Sequence, residues 1–271
     1  MAGRFEHVIM TRFNLATPGR ESGLRNRPGW LAERFELFER YCLPSVAAQR
    51  ERGFHWIVYF DAETPVAFRA RIAADREKVP FLPYFTDLFG PEGWARSIRE
   101  SFDFSPEFLL TTRLDNDDGL AFDYVERVQR AVREAGFAAG GYNVTNGFLR
   151  TATAAYRLAH RSNAFFSYLA PYGPEVVTAP SIAHMALDQH GPVTQLDGPG
   201  GWMQTVHGGN VSNKIRGLRV DPQALAGRFP VPLLEGLRPV GALRRSLENT
   251  LAGPLRGLRD RGLALRRRLR G

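Results

Sequence analysis

The sequence predicts an α/β fold, with one mostly parallel central sheet flanked by helices and a basic helical tail behind it. Three observations point there. The first half of the chain alternates strand-like and helix-like segments, the pattern of a parallel sheet with crossover helices. Its best strands, Phe54-His55-Trp56-Ile57-Val58-Tyr59-Phe60 and Phe108-Leu109-Leu110-Thr111-Thr112-Arg113-Leu114, are rich in apolar, β-branched and aromatic residues and read as buried. Arg12, Asp61 and Asp115 each follow the C-terminal end of a predicted strand. In open parallel sheets that edge is where ligands bind.

Composition sets the frame. The 271 residues, 44% of them hydrophobic, suffice for a full core. We divide them into a catalytic-size body, residues 1–237, and an Arg-rich tail, residues 238–271. The single cysteine, Cys42, excludes an intramolecular disulfide and suits a reducing compartment. It lies in an apolar helical pattern, as a buried thiol would. No stretch is apolar enough to span a bilayer. The opening Met1-Ala2-Gly3-Arg4-Phe5-Glu6-His7 runs into a strand without an apolar signal core, so the expected location is cytoplasmic. The net charge of +8 belongs to the tail, where ten arginines face only Glu248 and Asp260. The body is therefore about neutral, which argues against a nucleic-acid-binding body.

Taken in order, His7 to Thr11 is the first predicted strand. It leads through Arg12-Phe13-Asn14 into a Pro/Gly/Arg loop from Thr17 to Gly29. Leu31, Phe35, Leu37, Phe38 and Tyr41 form a helical stripe. Pro44 opens a further turn that Gly53 ends. The strand Phe54 to Phe60 stops at Asp61, and Thr64 is expected to cap a helix beginning at Pro65 and ending near Lys78. Phe81 to Phe85 reads as a short strand and Trp94 to Phe102 as a helix. The strand Phe108 to Leu114 runs into Asp115-Asn116-Asp117-Asp118-Gly119. A helix over Ala121 to Ala135 follows, with Phe122, Val125, Val128 and Val132 on one face. Phe137 to Arg150 is Gly-rich and strand-like. Ala154 to His160 and Ala164 to Leu169 read as strands joined by Arg161-Ser162-Asn163. Ile182 to His190 reads as a short helix, Gly198 to Gly209 as a loop holding Trp202, and Arg219 to Leu237 as irregular.

The chemistry concentrates in the acidic corner. Three carboxylates within four residues at the end of a core strand repel one another unless a cation, or a ligand carrying one, sits among them. A tight turn aims alternate carboxylates at one point, so Asp115 and Asp117 suit a divalent cation that also holds a diphosphate. The competing role is an Asx turn leading into the next helix. An EF-hand is excluded: with Asp115 as position one, position five is Gly119 and position six is Leu120. There is no Gly-x-Gly-x-x-Gly and no Walker A motif, which removes the usual dinucleotide and P-loop readings. Asp61 is placed to accept hydrogen bonds from a ribose or nucleobase, or is a plain turn residue.

A second dense segment is Trp202-Met203-Gln204-Thr205-Val206-His207-Gly208-Gly209-Asn210. An imidazole completes a carboxylate metal shell, and Lys214 offsets phosphate charge. The alternative is a surface histidine in a loop. His184 and Asp188 are four apart and would share a helix face. Either could serve as base toward an acceptor hydroxyl, or both could be incidental surface groups. His7, His55 and His160 lie in strand patterns and read as structural. The sequons at Asn143 and Asn210 carry no meaning in a cytoplasmic chain. The tail sets leucines 243, 247, 251, 255, 258, 263, 265 and 269 among arginines. That pattern suits an anionic membrane surface, or else a solvated terminus.

Several of these segments together resemble one bacterial family. Trp30 to Phe38, Tyr41 to Val46, Tyr59 to Pro65, Thr112 to Gly119 and the loop at His207-Gly208-Gly209-Asn210 are similar to the putative rhamnosyltransferases, over most of residues 5 to 217. More broadly the layout resembles glycosyltransferases of the GT-A fold. The resemblance implies an Asp-x-Asp that holds Mn2+ or Mg2+ against the diphosphate of a nucleotide sugar. Asp117 would be the direct metal ligand, with Asp115 on the ribose or the metal and His207 completing the shell. Arg12, Asp61, Arg113, Asp115 and Lys214 would form the donor side, and Asp188 or His184 the acceptor side. The acceptor would be a hydroxyl of a surface glycan or its lipid-linked precursor. Two rivals follow from the same residues. A sugar-nucleotidyltransferase should carry a Gly-rich basic loop after the first strand, where this chain has Arg12-Phe13-Asn14. A non-catalytic adaptor would keep the fold and act through the tail.

Overall fold

The structure is a computed structural model, and it describes residues 4–16, 25, 27–87, 90–207 and 215–252. Gly208, Gly209, Asn210, Lys214 and the tail beyond Ala252 lie outside the described residues. In chain order the strands are β1 (Phe5–Arg12), β2 (His55–Asp61), β3 (Leu82–Thr86), β4 (Phe108–Asp115), β5 (Gly119–Leu120), β6 (Gly140–Val144), β7 (Asn146–Arg150), β8 (Ala155–Ala159), β9 (Ser167–Pro171), β10 (Val193–Leu196), β11 (Trp202–Thr205) and β12 (Leu218–Val220). The α-helices are α1 (Trp30–Leu37), α2 (Leu43–Ala47), α3 (Val66–Lys78), α4 (Pro91–Ser101), α5 (Tyr124–Glu134) and α6 (Ala242–Leu247). One π turn, Phe38–Cys42, joins α1 to α2.

The main sheet has seven strands in the order β10-β6-β9-β4-β1-β2-β3. All pairings are parallel except those of β9, which runs antiparallel to both β4 and β6. Helices cover both faces, and the strand sequences show why. Successive side chains of a strand point to opposite faces. From β1 and β2, Ile9, Trp56, Val58 and Phe60 join the core built by α1, α2, α3 and α5, where Phe35, Phe38, Cys42, Val46, Ile72 and Val128 are buried. Their alternates Val8, Met10, Ile57 and Tyr59 pack on the other face with Trp94, Ala95 and Ile98 of α4. The expected architecture, a mostly parallel sheet flanked by helices, is the observed one. Cys42 is buried as expected, and burial pushes its thiol well up.

A second sheet, not anticipated, has five strands in the order β12-β8-β7-β11-β5. It splits the Phe137 to Arg150 segment in two: β6 belongs to the main sheet and β7 to this one. The loop expected around Trp202 is likewise a strand, β11, with Trp202 buried against Phe165 and its indole donating to the Val144 carbonyl at 2.8 Å. Gly147 is required there, because a Cβ would lie 2.1 Å from the Trp202 ring. The expected Thr64 cap also differs. The helix starts at Val66 after Pro65, and the Thr64 hydroxyl donates to the Asp61 carbonyl instead, at 2.6 Å.

The segment after β12 is folded onto the second sheet. Leu225, Phe229 and Leu233 are buried with Ala121, Phe148 and Met203. Arg150 donates to the carbonyls of Leu233 and Glu235 at 2.5 and 3.0 Å. Beyond them, Val240 N–H donates to Asp221 at 3.2 Å, and the Asn249 side chain exchanges two hydrogen bonds with the Arg219 backbone.

Candidate active site

The parallel run of β1, β2 and β4 puts their C-terminal ends on one edge. Arg12 registers with Tyr59 on one side and with Asp115 on the other, and Asp61 closes β2. The three polar strand ends expected to converge do so.

The acidic corner is a turn between the two sheets. Asp115 ends β4, the Asp118 N–H donates back to the Asp115 carbonyl at 3.2 Å, and β5 pairs at once with β11. Alternate residues of the turn have different duties. Asn116 donates to the Phe13 carbonyl at 2.7 Å, and Asp118 accepts from the Thr205 N–H at 2.7 Å, so both tie the turn to its neighbours. Asp115 and Asp117 are instead paired with cationic and imidazole side chains. Gly119 ends the turn because Leu233 packs there: a Cβ would lie 2.3 Å from Leu233 Cδ2.

Arginines answer the crowd of carboxylates. Asp117 accepts from Arg34 Nη1 at 2.8 Å and lies 2.9 Å from His207 Nε2, both at the same oxygen, Oδ2. Arg34 also donates to the Asn116 side-chain Oδ1 at 3.4 Å, and its guanidinium lies over the Trp30 ring. Asp115 accepts from Arg113 at 3.0 Å, with Arg12 at 3.7 Å. Asp61 pairs with Arg25 and accepts from the Glu63 N–H at 2.7 Å. Burial alone would raise the Asp115 pKa, but Arg113 and Arg12 outweigh it and hold the carboxyl at about 2. Asp118 is the opposite case. Burial, then the Asp117 and Asp115 charges, push it well above the usual carboxylate range. The repulsion expected from sequence is thus offset by Arg12, Arg34 and Arg113.

Asp117 and His207 supply a carboxylate and an imidazole 2.9 Å apart and bonded to each other, two of the donors that a divalent cation would need. Among the described residues no three His, Cys, Asp or Glu side chains group closely enough to hold a metal by themselves. A cation here would need further oxygens, such as those of a diphosphate.

His184 and Asp188 are not presented as expected. Residues His184–His190 form tight 3-10 turns broken at Ala186, which removes the shared helix face. Asp188 is exposed. His184 is half-buried and within electrostatic reach of the corner. Its pKa is lowered by burial, then by Arg113 and His160, against an opposing pull from Asp115. His7 is structural, bonded to Thr112 at 2.8 Å and near Gln129, and burial drops its pKa to about 3. His55 pairs with Glu6 at 3.3 Å against Phe102. His160 accepts from the Ser162 N–H at 3.2 Å.

Sequence reasoning missed Arg25 and Arg34. Arg34 occupies a polar position of the α1 stripe and Arg25 lies in the Pro/Gly/Arg loop. The available signal was their sign, opposite to that of the acidic corner.

A family model described as putative rhamnosyl transferase matches residues 6–219. No curated protein matches the chain. Among solved structures, S. aureus TarS 1-349 is similar at 12% identity, with 74% of this chain and 60% of that chain covered and a TM-score of 0.44. The same TarS fragment in complex with UDP-GlcNAc is similar at 12% identity, over 80% of this chain and 62% of that one, at 0.42. A 4-diphosphocytidyl-2C-methyl-D-erythritol synthase from Anaerococcus prevotii matches at 7% identity over 78% and 93%, at 0.37. The chain thus spans about 60% of the TarS fragment it matches.

Proposed function

The chain belongs to the putative rhamnosyl transferase family, and on that premise we propose that it is a metal-dependent GT-A-type glycosyltransferase. Its donor is a nucleotide sugar, with rhamnose the sugar the family name suggests. Its acceptor is a hydroxyl of a surface glycan or lipid-linked precursor, met in the cytoplasm at the inner face of a membrane. The observation that supports this reading is the corner itself: Asp117 and His207 are in contact at 2.9 Å, and Asp115 and Asp61 end strands on the same sheet edge.

The roles are assigned as the resemblance to GT-A enzymes implies. Asp61 receives the nucleoside, and Asp115, ionised at all working pH values, receives the ribose. Asp117 and His207 hold the cation, which when bound neutralises charge developing on the leaving diphosphate. Arg12 and Arg113 add positive charge beside the same site, with Lys214 assigned to the phosphates as well. His184 is the better candidate for the acceptor base, because its lowered pKa keeps the imidazole neutral and able to accept a proton. Asp188 is the second candidate.

Isothermal titration with UDP, GDP and dTDP, with and without Mn2+, tests the reading. One of the three should bind, and more tightly with the metal. The Asp117→Ala variant should lose that metal-dependent gain while keeping its unfolding temperature. Failure of every nucleoside diphosphate to bind in any metal condition would overturn the transferase assignment. A gain that survives Asp117→Ala would show that the metal sits elsewhere.

A further inference from the structure

One surface feature lies far from the corner in sequence and has no part in donor binding. Leu243, Leu247 and Leu251 are 84%, 59% and 62% exposed. They fall on α6 and the π turn Glu248–Ala252 that continues it. A spacing of four places them along one helical stripe. Arg244 and Arg245 lie between the first two, and Arg244 reaches Glu248 at 3.1 Å on the same exposed surface.

This helix is not a loose end. The Arg219 N–H donates to Asn249 Oδ1 at 2.7 Å, and Asn249 Nδ2 donates back to the Arg219 carbonyl at 3.1 Å. Arg238 N–H donates to the Thr153 carbonyl and Val240 is buried. The body therefore holds the helix in place with its leucines turned out to solvent. Leu218, next to the anchoring Arg219 on β12, is itself 45% exposed. A helix pinned by its polar side and bare on its leucine side is built to meet something apolar.

Charge identifies what that is. From residue 238 to the end of the chain ten arginines face two carboxylates, and 19 of those residues follow Ala252 with seven of the arginines and five more leucines. A partner that accepts leucines and many arginines together is a bilayer with anionic headgroups. A nucleic acid would use the arginines and leave the leucines idle.

We propose that the Leu243–Leu247–Leu251 stripe is a membrane-contact surface, lying in the interface of an anionic bilayer with Arg244 and Arg245 at headgroup level. The proposal deepens the transferase reading by naming the surface that brings the enzyme to a lipid-linked acceptor, and it rests on that reading only for the acceptor. Leu218 and Arg219 pair with β8, which ties the anchor of the stripe to the second sheet.

The test is flotation of the full-length protein with phosphatidylcholine vesicles, with and without 30% phosphatidylglycerol as a roughly physiological anionic content. Wild type should float with the anionic vesicles and not with the zwitterionic ones. The triple variant Leu243→Ser, Leu247→Ser, Leu251→Ser should retain its unfolding temperature, because all three side chains are exposed, and should bind anionic vesicles at least about tenfold less. Equal flotation of the two proteins would overturn the proposal, leaving binding to arginines alone. So would failure of wild type to float, or a stripe-dependent dimer in sedimentation without vesicle binding. Nucleoside diphosphate titration of the same triple variant keeps the readings separate. Donor binding with lost flotation supports the surface, and lost donor binding in wild type would count only against the transferase assignment.

Discussion

Arg34 and a divalent cation would compete for the same atom, Asp117 Oδ2, and removing Arg34 measures that competition. The guanidinium donates to this oxygen at 2.8 Å, with the two side chains 15% and 10% exposed. A charge-assisted hydrogen bond is worth about 1.5–3 kcal/mol. Residual solvent contact at both partners moves the expectation to the lower end, about 1.5 kcal/mol. Because 1.4 kcal/mol is a factor of ten, Arg34→Ala should bind Mn2+ about tenfold more tightly in the absence of nucleotide. The signal of free Mn2+ in electron paramagnetic resonance reads this directly, with Asp117→Asn as the control that should lose the gain. The same variant should bind nucleoside diphosphate more weakly, since a cation has left the site. Mn2+ affinity that is unchanged or lower in Arg34→Ala would refute the competition and place the metal away from Asp117.

Three further outcomes are expected. The His7 pKa falls from 6.5 in the unfolded chain to about 3 in the fold. Its stability contribution is therefore complete above pH 6.5 and is lost as the pH falls toward 3, by up to about 1.4 kcal/mol per unit; urea unfolding from pH 7 to 5 should show the slope, and His7→Gln should flatten it. Gly147→Ala drives a methyl into the Trp202 ring and should cost about 1–3 kcal/mol or more, seen as a lower melting temperature, and an unchanged melting temperature would contradict the packing. His184→Gln should lower turnover by about 10²–10⁴-fold while nucleoside diphosphate affinity stays within twofold, and wild-type turnover should hold its plateau below pH 6.5 because the imidazole resists protonation.

Strands β1, β2 and β4 were legible because their centres are buried on both faces. Two-sided burial writes itself as continuous apolar runs, and the topology of parallel strands then dictates where Arg12, Asp61 and Asp115 must meet. Ala154 to His160, read as a strand, is β8 of the second sheet, but that sheet as a unit left no such trace. Its β5 is two residues long, too short for any period, and its partner β11 comes some eighty residues later, so nothing local announces the pair. Gly201 read as a loop residue, and Gly147, in a segment read as strand-like, gave no sign that it is there to admit the Trp202 ring. The carboxylates of the site were readable as an unexplained concentration of charge. Their arginine partners were not, because in a chain with only two lysines and abundant arginine, Arg34 on an amphipathic helix looks like ordinary solvated surface. The His184–Asp188 pair failed for a geometric reason: a spacing of four faces one way on an α-helix and not on a broken 3-10 segment.

Gly119 and Leu233 bear on where this protein can be cut. The family match ends at residue 219, yet the side chain that seals the back of the acidic turn arrives fourteen positions later. Leu225, Phe229 and Leu233 come with it, and Arg150 is held by carbonyls at 233 and 235. A fragment trimmed to the matched residues would open the floor under Asp117 and lose donor binding by loosening a turn that it still contains. The shortest piece worth expressing runs past Glu235, and homologous chimeras should be joined after that point rather than at the edge of sequence similarity.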